Sequence, residues 1–264
     1  MRMDSTVAAV ADRLHQAAEQ RLPTKPVRDE LAVGGLAAAY AVQRHNQDRA
    51  VAAGRRIVGR KVGLTSLAVQ RQLGVDSPDF GVIFADMCDM DGDEVLTGSV
   101  LQPKVEAEVA LVVGRDLSDP DLTMFELIAA VDHLLPAIEV VGSRIENWDI
   151  SLLDTVADNA SCGRVVLGMT PVAPSGLDLA AARMAMTVDG VEASVGTGAA
   201  CLGHPYRAAL WVARTLAGFG EGLRAGDLVM TGALGPMVSF RPGTHVRTTI
   251  EDLGEVNVYL SEEQ

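Results

Sequence analysis

The chain has 264 residues, 48% of them apolar, and its 35 acidic against 22 basic side chains give a formal charge of -13. That charge, with no Lys/Arg cluster to offset it, argues against binding nucleic acid or an anionic membrane surface. No apolar run approaches the roughly 18 residues that cross a bilayer, Met1–Gln20 lacks a secretory apolar core, and the widely spaced Cys88, Cys162 and Cys201 read as reduced thiols, so a cytoplasmic protein is expected.

Residues 1–54 read as an N-terminal helical region. Val7, Val10, Ala11 and Leu14 recur at helical spacing, Pro23 and Pro26 enforce a break, and an Ala-rich helix is predicted over Leu36–Ala53. After Gly54 short apolar runs take over, so residues 55–264 are expected to form a β-rich catalytic core. Strands are predicted over Ile57–Leu64, Val105–Val113, Ala137–Ser143, Arg164–Leu167, Ala185–Val188, Asp227–Thr231, His245–Ile250 and Glu255–Leu260. Asp189-Gly190 signals a two-residue hairpin. Helices are predicted over Leu67–Leu73, Thr123–Val131 and Pro205–Phe219. Without a regular βαβ alternation the pattern favours an α+β, β-rich fold: a mixed-sheet β-roll or sandwich with N-terminal and peripheral helices.

Three glutamates carry most of the chemical information. Glu106 and Glu108 stand two apart in Val105–Val113, which aims both carboxylates to one strand face, and Glu139 sits in the similar run Ala137–Val141. Same-face neighbours lie about 6.5–7 Å apart, where two charges repel by roughly 2–2.5 kcal/mol at an effective dielectric near 20. Two readings follow. A solvated strand face tolerates the pair, whereas a buried one needs protons, cations or a metal, and an all-carboxylate donor set selects a hard ion such as Mg²⁺ or Mn²⁺.

Lys61, on the run Arg55–Thr65, shares a strand face with Gly59 and Gly63, which leaves room around its amine; a surface lysine is the plainer reading. Asp79 falls in the loop-like Asp76–Gly81, where a turn-capping role is ordinary. Thr231-Gly232 begins a Gly-rich loop whose N–H groups could face an anion. Gly196–Cys201 resembles a damaged dinucleotide-binding loop but lacks its third glycine and a leading βαβ unit, so a turn needing positive φ is the simpler account. No histidine pair has zinc-ligand spacing, none of the cysteines has an identifiable partner for nucleophilic work, and His204 reads as a helix-entry residue.

Taken together, Gly59–Thr65, Gln72–Val75 with Pro78–Gly81, Gln102-Pro103 with Glu106-x-Glu108, Ala137–Arg144, Ala157–Gly163 and Thr231–Met237 resemble the fumarylacetoacetate hydrolase superfamily. The likeness is to its hydratase and decarboxylase branch, above all the 2-hydroxypenta-2,4-dienoate hydratases (2-keto-4-pentenoate hydratases) of bacterial meta-cleavage pathways. The resemblance implies a β-rich roll, a Mg²⁺ or Mn²⁺ site at Glu106, Glu108 and Glu139, and homo-oligomeric assembly, with neighbouring pathway enzymes as further partners. Hydrolases of the superfamily carry a His-x-x-Glu dyad after the strand at Arg60–Thr65. Ser66–Gln72 holds no histidine, which argues against carbon–carbon bond hydrolysis.

The implied reaction is hydration of a small 2-hydroxydienoate. Lys61 and Asp79 are then expected to handle proton transfer, and Ser161 with the Thr231-Gly232 backbone to hold the carboxylate end. Decarboxylation of a 2-oxo-3-enedioate is the rival activity, separable by release of CO₂. A catalytically inactive scaffold subunit is the rival of another class, and it would leave dienol absorbance unchanged.

Overall fold

The computed structural model describes residues 2–66, 70, 75 and 77–262; most of the helix predicted over Leu67–Leu73 lies outside them. Three helices open the chain: α1 (Arg2–Gln20), α2 (Arg28–Leu31) and α3 (Gly35–Ala52). Val10, Ala11 and Leu14 form the buried stripe of α1 and meet Ala38, Ala39 and Val42 of α3. This small core also takes in Ile145, Val156 and Ala157, which ties the helices to the rest of the molecule.

The strands follow as β1 (Ile57–Gly63), β2 (Asp79–Phe84), β3 (Cys88–Met90), β4 (Glu94–Val95) and β5 (Lys104–Val113). A short helix α4 (Met124–Ile128) leads to β6 (Val131–Val141), helix α5 (Leu152–Ala157), β7 (Cys162–Leu167), β8 (Arg183–Val188) and β9 (Val191–Thr197). Helix α6 (Pro205–Gly218) precedes β10 (Leu228–Met230), β11 (Val238–Ser239), β12 (His245–Ile250) and β13 (Gly254–Leu260).

These strands make two mixed sheets. The larger runs β2-β1-β10-β5-β6-β7-β3 with β11 added on β5, and the smaller runs β4-β13-β12-β8-β9. Most neighbours are antiparallel, but β1 runs parallel to β10, β3 to β7 and β4 to β13. The sheets pack face to face, with Val105, Ala107, Val109, Leu111, Ile138 and Val140 meeting Met184, Met186, Val246, Val256 and Val258. On β5 and β6 the intervening side chains face the other way, Ala110, Leu135 and Ala137 in a second apolar cluster and Glu106, Glu108 and Glu139 beside them.

Several boundaries differ from the sequence reading for local reasons. β6 begins at Val131 rather than Ala137, because Pro136 is accommodated inside it: its carbonyl accepts from Gly168, just past the end of β7, so its missing N–H leaves no β7 rung unmade. α4 is short because the chain turns at once into β6; its start is held by Thr123 and Glu126, each bonding the other's backbone N–H. The hairpin at Asp189-Gly190 has φ of 50° and 81°, as a two-residue turn requires. His204 caps α6 through its Nδ1, which accepts from the Tyr206 N–H at 3.1 Å, and Pro205 fills the first helical position.

The glycines at 196 and 198 serve close packing rather than positive φ: a Cβ on Gly196 would stand 1.8 Å from Leu234 O, and one on Gly198 would stand 1.7 Å from Leu179 O. Gly196→Ala is therefore expected to cost about 2–3 kcal/mol or more in chemical denaturation. Gly218→Ala, at a helical position with nothing within 4 Å, should be neutral or stabilising by up to about 1 kcal/mol.

Candidate active site

Glu106 and Glu139 stand directly opposite each other across the β5–β6 ladder, and Glu108 follows on the same face two residues along. One carboxylate oxygen from each lies within 4.8 Å of the other two. Glu108 and Glu139 are fully buried, whereas Glu106 keeps part of its surface open. Two unit charges 4.8 Å apart repel by about 3.5 kcal/mol at an effective dielectric of 20, and three such pairs meet here.

Lys61 is the neighbouring cation. Its side chain is buried, its Nζ donates to Ala160 O at 2.7 Å, and it lies 3.4 Å from Glu139 Oε1. β1 and β2 pair so that Gly63 faces Asp79 and Lys61 faces Gly81. Asp79 thus opens a strand instead of sitting in a loop, and it is 1% exposed. The two glycines make this arrangement fit: a Cβ on Gly63 would meet Asp79 Oδ1 at 2.2 Å and Lys61 Nζ at 3.3 Å, and one on Gly81 would meet Lys61 Cγ at 3.2 Å. At Gly59 the missing side chain makes room for the Leu228 backbone of β10, not for a ligand.

Electrostatics follow from this crowding. Burial pulls the Lys61 amine down, but the Glu139 and Asp79 carboxylates more than offset it and hold the group above the ordinary lysine value. Burial raises Asp79 against the opposing effect of Lys61. Burial and the Glu139 carboxylate push Glu106 up to about 7, and burial with both neighbouring carboxylates carries Glu108 well above its ordinary value. Glu139 is raised by burial despite Lys61, and the Cys162 thiol is pushed well up by burial and by Glu139.

Both oxygens of Glu139, both of Asp79 and Glu108 Oε1 have no hydrogen-bond partner among the described residues. Buried carboxylate oxygens left in that state need a cation or a proton. The three glutamates fit a hard divalent ion, offering oxygen donors only, with Glu108 Oε1 and both oxygens of Glu139 still unspent. The remaining Glu108 oxygen accepts from the Gly232 N–H at 2.7 Å, and the Thr231 hydroxyl donates to Val109 O at 2.8 Å. Those two groups therefore brace the glutamate face. Ser161 is buried, with its hydroxyl 3.3 Å from that of Thr155.

Sequence reasoning does not single out Asn159, Ala160, Thr155 or Cys162 as site residues. Ala160 contributes only a backbone carbonyl, which side-chain identity does not reveal. Asn159 carries the one available signal, since asparagine tolerates the left-handed backbone found there.

A profile of the family described as fumarylacetoacetate (FAA) hydrolase C-terminal matches residues 56–260. The chain belongs to the fumarylacetoacetate hydrolase family. Within it, the TodF product hydratase of Pseudomonas putida strain F1 is 52% identical, over 95% of this chain and 93% of its own length. The 2-keto-4-pentenoate hydratase 2 of Dechloromonas aromatica strain RCB is also 52% identical, over 96% of this chain and 97% of its own. The solved 4-oxalocrotonate decarboxylase of Pseudomonas putida G7, complexed with magnesium and adipate, aligns with a TM-score of 0.93 at 33% identity, covering 97% of this chain and 98% of that one. This family member thus combines a carboxylate cluster able to hold a metal ion with a fold shared by a magnesium-binding enzyme. No helix among the described residues is long and apolar enough to cross a membrane.

The raised glutamates give a pH signature. A folded-state value near 7 for Glu106, against the ordinary 4.5, means that the metal-free protein loses this group's stabilising contribution as pH rises through about 7. A divalent ion bound by the ionised carboxylates restores it, and protons compete with the ion below that range. The rise in melting temperature on adding Mg²⁺ should therefore be larger at pH 8 than at pH 6, read by calorimetry on chelator-treated protein.

Proposed function

We propose that this chain is a divalent-cation-dependent hydratase, adding water to 2-hydroxypenta-2,4-dienoate or an alkylated homologue to give a 4-hydroxy-2-oxoalkanoate. The observation that carries this reading is the buried ammonium of Lys61, 3.4 Å from Glu139 and flanked by Asp79, beside glutamate oxygens with no donor. Relatives at 52% identity over nearly the whole chain bear hydratase names, which supports the same reaction class.

The substrate chemistry defines what the residues must do. The 2-hydroxydiene loses its enol proton and gains one at C5, giving a 2-oxo-3-enoate; water then adds at C4 and a proton arrives at C3. Negative charge builds on the C2 oxygen in both steps. A divalent cation held by Glu106, Glu108 and Glu139, with Mg²⁺ or Mn²⁺ the ions their oxygen donors suit, would supply Lewis-acid stabilisation of that charge.

Lys61 and Asp79 carry the protons. The raised amine stays an ammonium through the neutral range and enters as a donor, while Asp79, 1% exposed and held above the ordinary aspartate range by its burial, is the carboxyl group assigned to the other proton. Gly63 and Gly81 let these two side chains lie against their strands without obstruction. Ser161 is the hydroxyl assigned to the substrate carboxylate, and Thr231-Gly232 serves that end by bracing Glu108. The barrier against bulk water comes from burial of every acid and base except the partly open Glu106. Homo-oligomeric assembly and cytoplasmic residence complete the reading.

The structural similarity to 4-oxalocrotonate decarboxylase favours one second reading, loss of CO₂ from a 2-oxo-3-enedioate. Purified protein with Mg²⁺ is expected to bleach the dienol absorbance of 2-hydroxypenta-2,4-dienoate; CO₂ release from the enedioate with no bleaching would replace the hydratase reading. Lys61→Met should lower kcat by about 10³-fold or more. Its Mg²⁺ affinity should hold or tighten, because the ammonium no longer competes for Glu139. Glu106→Gln and Glu108→Gln should each weaken Mg²⁺ binding by about 10-fold or more, measured by titration calorimetry.

A further inference from the structure

Asn159, Ala160 and Ser161 have φ of 54°, 50° and 56°, three successive non-glycine residues in the left-handed region. L-residues with a Cβ rarely adopt that conformation singly, and a run of three persists only where its surroundings over-determine it. The surroundings here are specific. Asn159 Oδ1 accepts from the Val82 N–H at 2.7 Å, and Asn159 Nδ2 donates to Val82 O at 2.9 Å. β2 is the edge strand of the larger sheet, so this amide takes the place of one rung of a further strand. Gly81 lets the turn approach: a Cβ there would stand 2.4 Å from Asn159 O. On the far side, Gly142 N–H donates to Ser161 O at 2.8 Å, and Arg144 grips both the carboxylate and the carbonyl of Asp158.

The left-handed backbone has a product: it turns the Ala160 carbonyl onto Lys61 Nζ at 2.7 Å. A right-handed or extended residue 160 would point that oxygen elsewhere. The contact is the amine's one hydrogen bond among the described residues, since Glu139 Oε1 lies farther off at 3.4 Å and counts as an ion pair. We infer that Asn159 is a positioning residue for Lys61, its amide locking a left-handed turn onto the edge of β2 so that the Ala160 carbonyl fixes the ammonium against the acidic face. Among the described residues, the Asn159 side chain bonds only to Val82 and not to the glutamates. Its effect is on where the Lys61 nitrogen sits, and a displacement near 1 Å at a proton-transfer group costs up to about 100-fold in rate. The inference rests on the proton-transfer role proposed above for Lys61.

Asn159→Ala removes both amide bonds and leaves every acid and base in place. Its kcat per folded molecule is expected to fall about 10- to 100-fold, while KM and Mg²⁺ affinity each stay within about threefold. Asn159→Asp, which keeps the acceptor and the tolerance for left-handed backbone, should recover part of the loss. A purely structural role would lower the melting temperature and leave kcat per folded molecule untouched. A crystal structure of N159A without substrate supplies an activity-independent arm, with Lys61 Nζ expected out of hydrogen-bond reach of Ala160 O. Wild-type protein inert toward the dienoate would overturn the hydratase reading while this structural arm still decides the positioning. An unchanged Nζ position in N159A, or kcat within about twofold of wild type, overturns the inference; should N159A fail to fold, Asn159→Gly, which also removes both amide bonds while tolerating the left-handed backbone, is judged by the same two measurements.

Discussion

The constraint on which the rest of the structure turns is the accumulation of buried negative charge on one strand face. Glu106, Glu108 and Glu139 share a few ångströms with Asp79 close by, and Lys61 is the cation among them. One ammonium does not neutralise four carboxylates. The surplus appears in the raised values of all four acids and in the oxygens that lack donors. Burying such a set without compensation is strongly unfavourable, so the site is built to be completed by something positive.

The fold tolerates this because strand alternation separates two incompatible environments by the thickness of one backbone. On β5 the odd-numbered residues from Val105 to Val113 enter the apolar core between the sheets, while Glu106 and Glu108 face away from it. β6 repeats the pattern around Glu139, and β1 does so with Val62 toward the core and Lys61 toward the acids. The central position of these strands gives the charged groups a rigid backing on both sides. Small residues then let the elements close in: Gly63 and Gly81 admit Asp79 and Lys61, and Gly232 comes near enough to donate to Glu108.

Much of this is legible in the sequence, for identifiable reasons. The common face of Glu106 and Glu108 follows from the two-residue period of a strand, and the β-rich class follows from short apolar runs without βαβ rhythm. Asp79 is harder, because Pro78 and Gly81 mimic a loop; its strand exists through pairing with β1, and Gly81 is needed for the approach of Asn159 and Lys61. Pro136 likewise hides the first half of β6, its tolerated place depending on where β7 ends. The left-handed turn at 159–161 contains no glycine and leaves almost no local trace, since its conformation is imposed from β2 and Gly142.

The bond from the Gly232 N–H to Glu108 has a consequence for biosynthesis. All three glutamates have been added to the chain once residue 139 is translated, yet the donor that steadies one of them lies 93 residues later, about 5–20 s of synthesis at ordinary elongation rates. β10, which separates β1 from β5, is equally late. β5 therefore lacks its β10 neighbour, and Glu108 its backbone donor, until residue 232 has been added.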